Sequence, residues 1–547
     1  MSPAGAPLPF ISTDTRVRAA YAEGAGIYRI VPRGVATPRS LEDLRAIIAW
    51  AEANGIGLTA RGAGSGIPGN AVGDGIIVDL RDRMPIRLEL NLESRTAITS
   101  ANVTREQLAA ATLPYGLRLP PDPSSGKWAT LGGMVSTNAA GSHTVRYGPV
   151  RRWVRGLEVM TADGENIWLD RNAEDSGGPH CGTGPQLSSA QSRFRQDACP
   201  KIRDKAHLIA ERYPRTTKNT AGYALDEWLR SGDDLDLWIG AEGTLGFVTA
   251  IEWQLDPIPP ARAGLRVSLR SLDDLEAAVS TLVRLGPSAV ELLDRTFLDL
   301  VGLHGSVEAM LLVEFEREQA AAARGVVGDA VRSLGDLASE VVTALTPEEE
   351  HELWRLRHAA SPILAGLTDR RSMQVIEDGC VPLPRLGEYV RTVRQAADAA
   401  GLTAVIFGHA GDGHVHVNLL PQLDRPDWSE RVAQVYRTVS AEVMRLGGTF
   451  SGEHGDGRLR TPLLDALYGP EIVALFRQTK TAWDPHGIFN PGVKVGSAAD
   501  PLGQLKMGPH AAPIPEDIAL ALREIERTGG YARSRTQIAQ STHDRTP

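Results

Sequence analysis

The chain has 547 residues, 42% of them hydrophobic, with a formal net charge of −9. One core rarely grows beyond ~250–300 residues, so more than one domain is expected. The acidic balance argues against general nucleic-acid binding, which needs basic surface to displace counterions, but a few local cations would still serve an anionic substrate.

Met1–Thr15 lacks a basic stretch followed by an apolar one, so no signal peptide is expected. No apolar run reaches the ~18 residues of a membrane span. Cys181, Cys199 and Cys380 are too far apart for a CxxC zinc or iron–sulfur site. Together these favour a reducing, cytoplasmic setting, with peripheral contact at the inner membrane left open.

Residues 39–57 predict an amphipathic helix capped by Ser40, with Leu41, Leu44, Ile47 and Ile48 on one face and Gly55 near its end. Strands are expected at Leu58–Ala60, Ile76–Leu80 and 96–103, and a helix at Arg105–Thr112. This mixed α+β pattern runs to about Pro257. Residues 171–197 are polar and Gly/Ser-rich, as in a surface loop. The run DPIPPARAG at 256–264 is the linker candidate. Beyond it come a strand at Leu265–Leu269, a helix at Leu272–Leu285, strands at Val290–Asp294 and Ala309–Glu314, and a helix at Arg317–Leu334. That alternation suits a second α+β domain with an antiparallel sheet. After Val495 the tail is polar up to Pro515, a helix is expected at Glu516–Thr528, and the last residues are expected to be disordered.

Three glycine-rich elements stand out. RGAGSGIPG at 61–69 follows a strand, and such a turn can present successive N–H groups to an anion. Its glycine spacing and Pro68 exclude a dinucleotide fingerprint of the Rossmann type. Residues 120–148 concentrate Pro, Gly, Ser, Thr and Asn around Trp128, Leu131, Met134, Val135 and Tyr147, a composition suited to wrapping a polar cofactor. GAEGTLG at 240–246 precedes a strand. Any one of these loops alone also reads as a surface turn.

Two histidine motifs lie further on. In FGHAGDGHVHVNLL (407–420), His414 and His416 alternate with apolar residues and share one face of a strand. His409 can fold back over the GDG turn to join them. SGEHGDG (451–457) offers Glu453 and His454. Imidazoles with a carboxylate suit a divalent first-row ion. The alternative is a pair of tight turns whose histidines satisfy buried carbonyls. On a helix at 353–361, Arg357 and Ser361 are four residues apart on one face, and an arginine there suits either carboxylate capture or solvent.

In order and content these motifs resemble the FAD-binding domain of the vanillyl-alcohol oxidase superfamily. Within it, residues 25–495 are similar to the D-lactate and D-2-hydroxyglutarate dehydrogenases, a family that includes the glycolate oxidase flavin subunit. The resemblance implies an α+β chain: a PCMH-type FAD-binding domain (25–257), a ferredoxin-like cap with an antiparallel sheet (258–480), a return segment (481–496) and a tail (497–547). It implies that FAD is held by Arg61, Gly62, Ala63, Gly64, Ser65, Gly66 and Gly69 at the pyrophosphate. Pro121, Asp122, Ser124, Thr130, Gly132, Gly133, Ser136, Asn138, Gly141 and Tyr147 would follow along the cofactor. Glu242, Gly243, Gly246 and Asn490 would lie near the ring. Many members link FAD covalently to a histidine of the first loop; none lies in 61–70, so FAD is expected to be non-covalent, with His143 a remaining candidate for attachment. The resemblance further implies metal ligands His409, His416 and Glu453, a base at His454, and a substrate carboxylate on Arg357 with Ser361 nearby. His414 stands where the family has Asn, as a fourth ligand or a substrate contact. The ion would be zinc, with manganese or iron as alternatives.

The implied reaction oxidises a small D-2-hydroxy acid, passing hydride to flavin N5. Family hydroxyglutarate enzymes use a lysine near QVIEDGCVP (374–382), which has none here; this argues against D-2-hydroxyglutarate, and a D-lactate-like substrate is expected, with D-2-hydroxyglutarate and glycolate as the alternatives. The acceptor would be a quinone, an electron-transfer flavoprotein, a cytochrome or a separate iron–sulfur protein, and a homodimer is compatible. Rival readings are an oxidase of other alcohols, a flavin subunit that only relays electrons, and a metal scaffold without FAD.

Overall fold

The computed structural model describes residues 8–171, 187–367, 370–496 and 500–540, without the side chains of His358 and Ser361. Three sheets organise it. The first runs Ile11–Ser12, Gly34–Ala36, Ile76–Asp79, Leu58–Arg61, with the last three strands parallel. The second is antiparallel: Leu88–Asn91, Thr96–Ser100, Phe247–Gln254, Val154–Met160, Asn166–Asp170. The third has seven strands in the order Glu340–Ala344, Ala261–Leu269, Ala309–Arg317, Ala289–Asp294, Thr403–Gly408, His414–Leu420, Gly379–Cys380.

The first helix forms as its pattern predicts. It spans Leu41–Asn54; the Ser40 side chain accepts from the Asp43 amide, and Gly55 ends it at φ 59°. Leu44, Ile47, Ile48 and Ala51 are buried against the first sheet. Burying a side chain of that size is worth roughly 1.5–3 kcal/mol, so this face fixes the helix on the sheet.

Three expectations need correcting. The linker shrinks to 258–260: Asp256–Pro257 pairs with Leu117–Arg118, and the next strand already starts at Ala261, because sheet pairing overrides the turn character of its prolines. Residues 189–197 of the expected polar loop are helical, led by a Ser188–Gln191 capping box; residues 172–186 lie outside the described residues. The strand at 309 runs on to Arg317, so the following helix starts only at Ala320. The tail holds the expected helix Glu516–Thr528 and a further one at Arg535–Gln540. Within its polar stretch Leu505 and Met507 are buried. The expected terminal disorder concerns 541–547, outside the described residues.

The two halves meet through buried charge. Lys494, in the return segment, is fully buried; its Nζ lies 3.1 Å from Glu242, 3.0 Å from Asp456 and 2.6 Å from the Thr220 carbonyl. Glu242 belongs to the third glycine element and Asp456 to the second histidine motif. Breaking a buried pair by deleting one partner costs about 3–5 kcal/mol, because the other charge is left unpaired. Lys494→Met should therefore lower unfolding stability by that amount in denaturant titrations.

Candidate functional site

The glycine elements line one cavity of about 630 Å³, together with Arg357, Glu453 and His454. Gly64 sits at φ 70°, where a side chain would be strained, and a Cβ on Gly62 would come within 2.2 Å of Thr130 Oγ1. The loop therefore needs glycine both to turn and to press against the second element. Among the described residues, no acceptor takes the amide hydrogens of Gly62, Ala63, Gly64, Ser65 or Gly66. Ala63 and Gly64 are buried, and buried amides are nearly always satisfied; five adjacent amides without a protein acceptor on a cavity wall fit an anionic ligand such as a pyrophosphate.

Ser124, Thr130, Gly132, Gly133, Ser136, Glu242, Gly243 and Gly246 share this wall. Others hold it from behind. Asn490, at φ 40°, donates to the carbonyls of Asn70 (2.9 Å) and Glu242 (2.8 Å), stapling two loops together. Asn138 ends a helix in the left-handed region and accepts from the Arg151 amide. Gly69 packs on the Tyr28 ring. The Pro121 carbonyl accepts from Arg105, and that of Gly141 from Lys218. Tyr147 bonds Glu316 in the cap half. Asp122 holds His143 at 2.5 Å, whose other nitrogen lies 2.8 Å from Glu314. Both His143 nitrogens thus face carboxylates.

The hairpin Thr403–Gly408/His414–Leu420 pairs Phe407 with His416. Gly413, at φ 68°, lets the chain reverse and brings His409 back over the strand. His416 Nε2 lies 3.3 Å from His409 Nε2; Glu453 Oε1 lies 3.3 Å from the latter and 3.4 Å from the former. A tetrahedral ion with bonds of about 2.0–2.1 Å holds its ligand atoms about 3.3–3.4 Å apart. The three atoms thus already form one face of such a site. His454 Nε2 stands 3.6 Å from the same oxygen.

The ring orientations are set by partners that the sequence reading did not single out. Glu291 accepts from His409 Nδ1 (2.6 Å) with one oxygen and from Arg357 Nε (2.5 Å) with the other. The Glu377 carbonyl accepts from His416 Nδ1 at 3.0 Å, and its carboxylate from His454 Nδ1 at 2.7 Å. Asp378 accepts the Glu453 and His454 amides at 3.1 and 3.0 Å. Lys218 holds Glu453 Oε2 at 2.8 Å. In each of His409, His416 and His454, Nδ1 is occupied and Nε2 is presented, the arrangement in which a second carboxylate or carbonyl aims a ligand. The signal was available: Glu291 and the Glu377-Asp378 pair are acids inside apolar runs, and a buried acid needs a partner.

Five buried carboxylates (Glu291, Glu377, Asp378, Asp412, Glu453) face three buried cations (Lys218, Arg357, Arg460). With the histidines neutral, two negative charges remain in excess. Burial depresses the His416 imidazole, but Glu377 and Glu453 outweigh it and push it up to about 9. For His454 burial likewise pulls down, and Glu377 and Asp378 hold it above its ordinary value. His414 differs: burial and the Lys218 ammonium push it down to about 3. It is fully buried and does not line the cavity, which sets it away from a substrate; its Nε2 bonds Asp378 at 2.9 Å, while a ligand atom from it lies within 4.8 Å of those of His409, His416 and Glu453. Arg357 keeps its two terminal nitrogens free of partners among the described residues. The Ser361 side chain is outside them.

A glycine cradle and a His/Glu cluster on one cavity are the parts of a flavin oxidoreductase. Residues 32–170 match the FAD binding domain family, and residues 258–493 match the FAD linked oxidases, C-terminal domain family. The chain belongs to the FAD-linked oxidases and is a FAD-dependent oxidoreductase. It is 30% identical over 468 residues to D-lactate dehydrogenase of Archaeoglobus fulgidus, covering 84% of this chain and 90% of the relative. It is 29% identical over 475 residues to glycolate oxidase subunit GlcD of Bacillus subtilis, covering 85% and 89%. With D-2-hydroxyglutarate dehydrogenase of Pantoea ananatis it shares 28% over 503 residues, 85% of this chain but 48% of that protein. The solved 4-ethylphenol oxidase from Gulosibacter chungangensis superposes with a TM-score of 0.62 at 15% identity, over 89% of this chain and 94% of that one. That likeness establishes the expected fold, a PCMH-type FAD domain with an α+β cap. No helix among the described residues is long and apolar enough to cross a membrane.

Glu291 ties the proposed carboxylate site to the proposed ion site. Glu291→Ala should loosen the His409 ring and lower divalent-ion affinity about 10–100-fold, measured by competition with a chelator.

Proposed function

We propose that the protein oxidises a small D-2-hydroxy acid of the D-lactate class to the 2-oxo acid. The carrying observation is the triangle of His409 Nε2, His416 Nε2 and Glu453 Oε1, with Glu453 on the same cavity wall as Arg357 and His454. FAD, held non-covalently, supplies the two-electron acceptor, and a divalent ion on His409, His416 and Glu453, zinc first with manganese or iron as alternatives, supplies a Lewis acid. The flavin is assigned to residues 25–257 and the return segment 481–496, and the chemistry to residues 258–480. Electrons then pass to a separate acceptor.

Arg357 offers its free terminal nitrogens to the substrate carboxylate; Glu291 fixes their direction by holding Nε. His454 Nε2 accepts the hydroxyl proton as general base, while Glu377 holds Nδ1 and so fixes the tautomer. Against the pull of burial, Glu377 and Asp378 raise the His454 imidazole above its ordinary value. A dication held by His409, His416 and Glu453 would oppose that rise and favour a His454 Nε2 able to accept a proton. The reading as a mere electron relay is disfavoured, since a relay needs no such constellation.

Elemental analysis with anaerobic flavin reduction separates these roles. His416→Ala should lose the ion yet keep FAD, while His454→Ala should keep both and slow reduction by about 10²–10⁴. Wild type free of metal, with a rate indifferent to chelators, would overturn the ion's part. D-lactate should exceed D-2-hydroxyglutarate in kcat/KM in a dye-linked assay, because one carboxylate partner, Arg357, is identified and 374–382 lacks a lysine. A clear preference for the dicarboxylate would reverse the substrate assignment.

A further inference from the structure

The family match ends at residue 493, yet the cavity wall does not. Lys506, Glu526, Gly529 and Tyr531 all line it. They belong to a segment, 501–540, that crosses both halves. Tyr28 donates to the Pro501 carbonyl at 2.6 Å, the Arg29 amide to Gln504 at 3.0 Å, and the Lys506 amide to Ile27 at 2.8 Å. The helix Glu516–Thr528 buries Ile518, Leu522 and Ile525 against Ala19, Ala20, Tyr21 and Ile77. Arg81 donates to the Tyr531 and Ala532 carbonyls, both at 2.6 Å. From the catalytic half, Arg371 reaches Glu526 at 2.9 Å.

The strap meets the first glycine loop where charge is needed. Ala25 donates to the Gly64 carbonyl at 2.9 Å, so residues 25–27 lie directly on that loop, and Lys506 is bonded to Ile27. Arg61, the arginine of the loop itself, spends its guanidinium on the carbonyls of Glu23 (2.8 Å), Tyr21 and Ala71 (both 3.3 Å). It is committed to holding the backbone. Lys506 is 5% exposed, and its ammonium has one partner among the described residues, Glu526 at 3.1 Å. An ammonium carries three donors, so two remain for a cavity ligand. Tyr531 is buried with its ring 5.8 Å from that of Trp128, and no described residue bonds its hydroxyl.

We propose that the strap 501–540 completes the FAD site from outside the family domains: Lys506 is the counter-cation of the FAD diphosphate, Tyr531 closes the wall over it, and FAD exchanges only when the strap lifts. This rests on the flavin reading above. A non-covalent cofactor gains residence time from such a cover, because release must first break the contacts of the strap with both halves.

The test uses full-length holoenzyme. FAD release is followed by the return of free-flavin fluorescence on dilution, and the melting temperature of the apoprotein is measured alongside. Lys506→Met keeps the apolar stem and leaves Glu526 paired with Arg371. It should release FAD about ten- to a hundredfold faster, as for a lost charge-assisted bond, with the apoprotein melting unchanged. Lys506→Arg should restore slow release. In wild type, FAD should slow tryptic cutting at Arg523, Arg527 and Arg533, an arm that needs no variant. Tight FAD with wild-type release in Lys506→Met, or cutting indifferent to FAD, would overturn the strap's role while leaving the flavin reading intact. Raised KM for the hydroxy acid at unchanged release would place Lys506 on the substrate and also overturn it. Wild type that takes up no FAD would overturn the flavin reading and the strap with it.

Discussion

Five carboxylates buried around one histidine hairpin, with three cations to balance them, constrain everything near the site. Charges taken out of water cost several kcal/mol each unless paired, and four of the five acids are hydrogen-bonded to a partner, while Asp412 has only the Lys218 ammonium at 3.4 Å. Glu291 holds His409 and Arg357, Glu377 holds His454 and Arg460, and Glu453 holds Lys218. The pairing fixes ring tautomers and leaves one corner, where three ligand atoms converge, short of positive charge. A divalent ion there would contribute to folding as well as to chemistry, since the corner is assembled only in the folded chain.

The same economy joins the two halves. Lys218 lies between the second and third glycine elements, yet its ammonium faces Glu453 and the Gly141 carbonyl together. Lys494 joins Glu242 of the third glycine element to Asp456 of the second histidine motif. The glycine cradle and the His/Glu cluster are therefore not two separate features brought near each other. They share buried ion pairs, so a shift in one is felt in the other.

The glycine loops and the His/Glu motifs were legible because their residues are local. A loop that presents amides must be rich in glycine within a few positions, and alternation alone puts His414 and His416 on one face. Ser40 and Gly55 announced the first helix in the same way. Glu291, Glu377, Asp378 and Lys218 were not read as part of the site, because each is an ordinary residue until its partner is known. Most of 256–264 is strand rather than linker for a similar reason: its prolines speak for a turn, but strand partners at 117–118 and 309–317 decide the outcome.

Local pattern alone carries the chemistry of the parts: a glycine-rich turn suited to an anion, imidazoles with a carboxylate, an arginine on a helix, and a family resemblance that orders them. Which nitrogen each imidazole presents, that His414 is fully buried away from the cavity, and that the segment after residue 500 walls that cavity depend on the folded chain. The reason is physical. Hydrogen-bond partners, burial and local field depend on contacts between residues tens to hundreds of positions apart, and a sequence pattern read through windows of a few residues carries no information about them.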